Sequence, residues 1–447
     1  MKRRLLPILM TLVLVCALPI WAAFVTSPDV TNPLVSTAGA TSPPDTAAAR
    51  LKSAISNGGD VRLTEDIEIS ETLLVTRDVT LDLNGHVLKM TGDGSVLRVK
   101  KGPHPVTLTI TDSSAAKSGT ITGGNAEDGG GVCVEAYATL EMTGGCITGC
   151  RAVDGGGVYI DNNATLKMTG GCITDCHASY GGGIYSYENL YMGGTAKIEK
   201  CTSNGGSDDA ILNREGNIYA DGGTVDGTVN NQGTITCSHG TNANAATVFN
   251  KTVYLRGSNL TKRYIEAGTY NGTVENTGSI IGGTFYGTVR NQKNSMGLNI
   301  TGSVTGGTFY GPIVNEVGPG QVTGGTFAVR FDTDGGSEIE PTMVEYDDLV
   351  AKPTDDPTKS GYTFIGWEDA NGAGAYDFNT PVNAPLTLTA KWEKNPSSGG
   401  YYYYPTTDTK TDDTKGSPKT ADPGVALYAA LSLLSLTGLT CTARKKF

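Results

Sequence analysis

The chain has 447 residues, enough for about three ordinary domains. Glycine fills 61 positions, about 14% against a usual ~7%, yet no Gly-X-Y period appears and 38% of residues are apolar, which excludes collagen and wholesale disorder. A formal charge of −11 argues against a nucleic-acid partner, which needs clustered positive charge, and four His with nine scattered Cys leave little for a transition-metal centre.

Lys2, Arg3 and Arg4 precede an apolar run over 5–21 and then Ala22 and Ala23, the basic, apolar and small-residue order of a secretory signal peptide over residues 1–23. A linker over 24–45 follows. Leu51-Lys-Ser-Ala-Ile55 then predicts a short helix. After Asn57-Gly-Gly59 it gives way to alternating strands at 61–63, 67–69, 73–75 and 79–83, closed by Asn84 and Gly85.

Repeats dominate the middle. Gly129-Gly-Gly-Val132, Gly155-Gly-Gly-Val158 and Gly181-Gly-Gly-Ile184 recur every 26 residues, with Thr143-Gly-Gly-Cys-Ile-Thr148 and Thr169-Gly-Gly-Cys-Ile-Thr174 between them at the same spacing. A fixed period of this size marks a solenoid. Val132, Val134, Leu140 and Met142 alternate with Cys133, Glu135, Thr139 and Glu141, the period of two that strands require. A parallel β-helix follows, with two or three strands per turn, turns ~4.8 Å apart and glycine at the corners. The helix and first coils resemble the amino-terminal cap of pectate-lyase-like right-handed β-helices, and the triple-glycine units resemble those of bacterial adhesin-like surface proteins. Past Gly216 the units shorten: Gly282-Gly-Thr-Phe-Tyr-Gly287, Gly306-Gly-Thr-Phe-Tyr-Gly311 and Gly324-Gly-Thr-Phe327 recur irregularly, with Asn231, Asn276, Asn291 and Asn315 read as turn residues. Residues 46–327 then make about eleven turns and a rod on the order of 50 Å.

The segment 328–394 changes character. Val329-Arg-Phe-Asp-Thr-Asp-Gly-Gly336, Lys359-Ser-Gly-Tyr-Thr-Phe-Ile-Gly-Trp367, Tyr376-Asp-Phe378 and Leu386-Thr-Leu-Thr-Ala-Lys-Trp392 resemble the Listeria–Bacteroides repeat, a small β-grasp-like module also found in internalin surface proteins. That resemblance implies a spacer or contact module and no enzyme. Phe364, Trp367, Phe378, Leu388 and Trp392 supply the apolar area for a small independent core. From 395 to 416 the chain is too polar to pack and reads as a wall-crossing linker.

Ser417, Pro418, Lys419, Thr420 and Ala421 precede an apolar segment over 425–443 and the basic ending Arg444, Lys445, Lys446. By length the segment reaches across a hydrocarbon core. The order resembles the Leu-Pro-x-Thr-Gly sorting signal of Gram-positive surface proteins, with Ser417 in place of Leu and Ala421 in place of Gly. The resemblance implies a sortase that cleaves after Thr420 and joins it to a peptidoglycan cross-bridge, so the membrane is met only transiently. Removing both ends takes away six cations and one acid, Asp422, leaving 28 against 44, or −16. An acidic surface repels negatively charged envelope polymers as well as nucleic acid.

Several residues invite chemical readings. Cys146 and Cys150 recur as Cys172 and Cys176, with Cys201 continuing the second column. Residues four apart in one strand are ~13 Å apart, so Cys146 cannot bond Cys150, whereas stacked partners at ~4.8 Å lie within disulfide range. A ladder of buried thiols is the favoured reading over stacked disulfides, since a long solenoid needs no covalent staple. Asp128 and Asp154 precede triple glycines but Tyr180 breaks the column, so turn chemistry outweighs calcium. Arg151 and His177 form an exposed ladder 26 residues apart. Tyr159, Tyr185, Tyr187 and Tyr191 are candidate exposed contacts, with cross-strand packing the plainer reading. No catalytic constellation, cofactor site or metal site stands out.

The sequence therefore predicts a mainly β, right-handed parallel β-helix followed by a β-grasp-like module in a noncatalytic, adhesin-like protein of the Gram-positive cell wall. Its solenoid would bind a host glycan, a matrix protein or other cells. The alternative is a wall-attached polysaccharide lyase or glycoside hydrolase of the β-helix type.

Overall fold

The computed structural model describes residues 46–204, 209–236, 247–255, 264–292, 302–316, 322–370 and 374–396. The leader over 1–23, the linker over 24–45, nearly all of the linker over 395–416 and the sorting signal over 417–447 lie outside these described residues.

One 26-residue turn contains four strands, Ala138–Met142, Cys146–Thr148, Arg151–Asp154 and Val158–Ile160, where two or three were expected. Each pairs in parallel with its equivalent one turn on, so Leu140 meets Leu166, Ile147 meets Ile173 and Val158 meets Ile184. Alternation points one set of these side chains inward, where like stacks on like and water is excluded from a continuous core. The third of these strands builds a narrow sheet of Asn125–Asp128, Arg151–Asp154, His177–Tyr180 and Thr202–Ser203. Among the described residues that sheet is confined to the stretch where the near-26-residue period holds.

Two strands of the turn merge at Leu190–Glu199, and Ile218–Asp226 pairs with the merged strand across an irregularity between Gly194 and Lys197. Later turns shrink to three strands, as in Ser279–Ile280, Thr284–Phe285 and Val289–Asn291. Asn276 and Asn291 are equivalent positions only 15 residues apart. An eleven-stranded parallel sheet runs the length of the solenoid among the described residues, so the rod is on the order of 50 Å.

Short strands of two residues bury little each, and the later turns compensate with larger interior groups. Phe249, Tyr270, Phe285 and Phe309 stack through the core at centroid distances of 5.1, 4.8 and 4.8 Å. Asn231, Asn276 and Asn291, expected at turns, instead end strands and point inward, fully or almost fully buried. Stacking at one-turn spacing lets each carboxamide donate to the next, Asn276 to Asn291 and Asn291 to Asn315 at 2.8 Å each, which satisfies a buried amide. A similar bond joins Asn213 to Asn231 at 2.7 Å.

The cysteines divide. Ile147 and Ile173 face the core, so Cys146 and Cys172 beside them face outward, and as register partners 4.5 Å apart at Cα they form a disulfide. The buried-thiol reading is therefore overturned for this column. Cys150, Cys176 and Cys201 do face the core as free buried thiols, each leaning on a nearby carbonyl such as that of Thr174 for Cys176 at 3.3 Å.

Both ends are closed. The helix Ala47–Asn57, started by Thr46, whose hydroxyl accepts from the Ala49 N–H at 3.1 Å, sets Leu51 and Ile55 against the first strands. At the far end Thr326–Asp332 pairs in parallel with Thr308–Phe309, and the same strand pairs with Ile339–Glu345 and with Leu386–Lys394. The expected border between 327 and 328 thus falls inside one strand, and the module grows directly from the last solenoid rung. Its core gathers Phe331, Trp367 and Leu388 with the partly buried Phe364, Phe378 and Trp392, whose ring N–H donates to the Thr333 carbonyl at 3.0 Å.

Thiol titration of the denatured, unreduced protein should count two thiols fewer than after reduction. Cys146→Ser should cost about 3 kcal/mol of stability, as expected for closing a loop of this size. Equal thiol counts before and after reduction would refute the bond.

Candidate functional site

The triple-glycine corners shape one flank of the rod. Gly129, Gly155 and Gly181 hold φ near 60°, the left-handed region that turns the chain sharply between sheets. Directly after them the backbone packs so tightly that a Cβ on Gly130 would lie 2.3 Å from the Arg151 carbonyl oxygen. The corner therefore carries no side chains. It forms a bare floor between the column Asp128, Asp154, Tyr180 on the narrow sheet and the column Cys133, Tyr159, Tyr185 on the eleven-stranded sheet.

The second column runs Arg98, Cys133, Tyr159, Tyr185, Leu212 in register, all pointing outward because their neighbours Val132, Val158 and Ile184 point in. Tyr159 and Tyr185 stack at 5.7 Å with rings 15° apart, and Tyr187 closes on Tyr185 edge-on at 5.3 Å. The Tyr185 hydroxyl donates to that of Tyr187 at 3.1 Å and accepts from Arg214 Nε at 3.1 Å. Of the four tyrosines singled out as exposed, three thus assemble, and Tyr185 is only 3% exposed. Tyr191 sits on a different sheet, stacked on Tyr219 at 4.3 Å.

Charge gathers around this column. Arg98 pairs with Glu135 at 3.2 Å. Burial works against the Arg98 charge, but the neighbouring Glu135 and Asp128 carboxylates hold the guanidinium protonated still more firmly. Burial, reinforced by Glu127 and opposed by Arg98, raises the Asp128 carboxyl above the usual range. Burial and then Asp128 raise Asp154, whose Oδ1 is buried with no hydrogen-bond partner. Burial, with the Asp161 and Asp128 charges, also pushes the Tyr159 phenol up. The Cys133 thiol is pushed up to about 12 by burial despite Arg98, which favours its protonated form.

The acid pair is visible in the sequence, but Tyr180 interrupts its column and assigns the two to turn chemistry; the structure stacks them as register partners. Among the described residues no group of three or more His, Cys, Asp or Glu converges as metal ligands. Arg151 and His177 are register partners on the narrow sheet: Arg151 is exposed, and His177 contacts Thr202 and Asn204 at 2.9 Å each. Ser417, Pro418, Lys419, Thr420 and Ala421 lie outside the described residues, as does the segment 425–443. Among the described residues no helix is long and apolar enough to cross a membrane.

Residues 327–391 match the Listeria–Bacteroides repeat domain. The chain is 37% identical over 101 residues to internalin H of Listeria monocytogenes, covering 22% of this chain and 17% of that protein. It is 38% identical over 71 residues to a Gly-rich membrane protein of Evansella cellulosilytica, covering 15% of this chain and 8% of the relative. A second membrane protein of that organism is 37% identical over 71 residues, 15% of this chain and 10% of its own length. The chain thus spans less than a fifth of each of these relatives. No solved structure matches. The repeat domain and these relatives fit a surface-associated repeat protein.

Asp154 gives a pH test. A carboxyl that holds its proton more tightly folded than unfolded contributes stability in acid and loses it as pH climbs through the folded value. Ionised Asp154 is therefore a cost at neutral pH. Asp154→Asn should raise the thermal midpoint at about pH 7 and lose that advantage at about pH 3; a difference that ignores pH would contradict the assignment.

Proposed function

We propose that this protein is a noncatalytic, adhesin-like component of a Gram-positive cell wall that presents its solenoid flank to an extracellular glycan, a matrix protein or other cells. The leader over 1–23 exports it. A sortase cleaves after Thr420 in the pentapeptide 417–421 and joins that residue to a peptidoglycan cross-bridge, leaving 425–443 in the membrane. The observation that carries the reading is the closure of both solenoid ends, by the helix Ala47–Asn57 and by the repeat module, which leaves only the long sides for contact. One side holds the tyrosine, arginine and carboxylate columns beside the bare glycine floor.

A catalytic reading has one observation in its favour. Asp128 and Asp154 are stacked acids with raised proton affinity, the kind of pair a polysaccharide-cleaving β-helix uses as general acid. Binding is preferred because the adjacent Cys133 and Tyr159 are held protonated and one Asp154 oxygen, Oδ1, is buried with no donor.

Incubating the mature chain with plant and mucin glycans and assaying reducing ends and unsaturated products should reveal no turnover, while a glycan and matrix-protein array should show specific retention. Robust release of either product would replace the binding reading with the enzymatic one. For the anchor, mass spectrometry of muramidase-released wall peptides should find Thr420 amide-linked to cross-bridge amine; intact chain ending at Phe447 in the membrane fraction would exclude it.

A further inference from the structure

The aromatic ladder on this flank stops one rung early. Tyr185 stacks on one face of Tyr159, but the register partner on the other side is Cys133, too small to cover the second face. Beside this rung there is a cleft of about 320 Å³, with Cys133 and Tyr159 in its lining. Its walls carry Arg98, Lys100 and Lys101 against Asp128, Glu135 and Asp161, three cations balanced by three acids. Cys133, 2% exposed, is almost wholly covered where it lines the cleft.

A void of this size is at the small end of ligand sites, with room for one ring and not for a folded chain. An occupant that completes the stack must be flat on one face and apolar there, to meet the negative face of the phenol with C–H groups. Its edge must carry hydroxyls, because carboxylates accept from hydroxyls and lysines donate to them. The balanced walls favour a ligand without net charge, since a buried unpaired charge would add a desolvation cost.

We propose that this cleft binds one neutral pyranose unit of an extracellular glycan, its C–H face stacked on the free side of Tyr159 and its hydroxyls donating to Asp128 and Asp161. The proposal rests on the display reading above and narrows it to a glycan and to one place on the flank. Bound sugar completes the column with a ring of its own, which explains why a small cysteine stands at this rung.

The test is saturation-transfer NMR on the full mature chain with methyl glycosides of galactose, glucose, mannose and N-acetylglucosamine. Glucuronate and N-acetylarginine amide serve as charged comparators. At least one neutral glycoside should receive saturation, strongest at its ring C–H protons. Cys133→Phe, which fills the cleft with the missing ring, should weaken it at least about tenfold, and Asp128→Asn should weaken it by a similar factor through the lost charged acceptor. Near-UV circular dichroism reports whether each variant is folded; if Cys133→Phe does not fold, Asp161→Asn and Tyr159→Leu take its place. No transfer to any neutral glycoside, or transfer that these variants leave unchanged, overturns the site. If an array still shows retention that Cys133→Phe does not touch, the display reading survives and only the cleft assignment falls. Cleft-dependent transfer to N-acetylarginine amide alone overturns the sugar in favour of a protein partner's cation.

Discussion

Parallel stacking of each turn on the last, in register and ~4.8 Å apart, is the constraint on which everything else in this molecule depends. It forces every inward residue to lie on its equivalent in the neighbouring turn, so the core is a set of columns rather than a three-dimensional jigsaw. Aliphatic columns serve where the turns are long, as with Leu140 on Leu166. Where the turns shrink, flat rings and carboxamides replace them, because phenyl groups tolerate stacking at this spacing and an amide can donate to its own copy. The same geometry that lets a buried asparagine donate to its copy would leave a single misplaced one unsatisfied.

The constraint reaches the outer surface as well. Outward columns also stack, and that brings Cys146 against Cys172 and Tyr159 against Tyr185. It places Asp128 on Asp154, where burial first, and then a neighbouring acid (Glu127 for Asp128, Asp128 for Asp154), makes both carboxyls hold their protons more tightly than usual. An irregularity in such a column is therefore more informative than the column itself. The small Cys133 between Arg98 and Tyr159 is a gap in an otherwise continuous surface, and the cleft sits at that gap.

Stacking has no natural end, and an uncapped rung would offer its backbone to any passing strand. Two devices close it. At the start, a capped helix lays Leu51 and Ile55 over the first coil. At the finish, the strand Thr326–Asp332 serves both as last rung and as first strand of the repeat module, whose antiparallel neighbour stops further parallel growth. Solenoid and module are therefore joined by a shared strand, and Phe327 continues the aromatic column from Phe309 on the way across.

By itself the sequence determined the solenoid, because a fixed 26-residue period with two-residue alternation has few other solutions, and it located the cap helix, the repeat module and the rod length of about eleven turns. It could not determine which side of a strand faces in when both neighbours are plausible core residues. With that single ambiguity, the sequence alone allows Cys146 and Cys172 as buried thiols and the asparagines as turn residues: alternation fixes relative direction along a strand, and only packing against the other sheets fixes the absolute one. Nor could it bring Asp128, Cys133 and Tyr159 together, since they lie on two sheets and two turns and meet only across a corner whose angle is set by glycines at positive φ. The columns were written in the sequence; the groove between them is a product of how the corner folds.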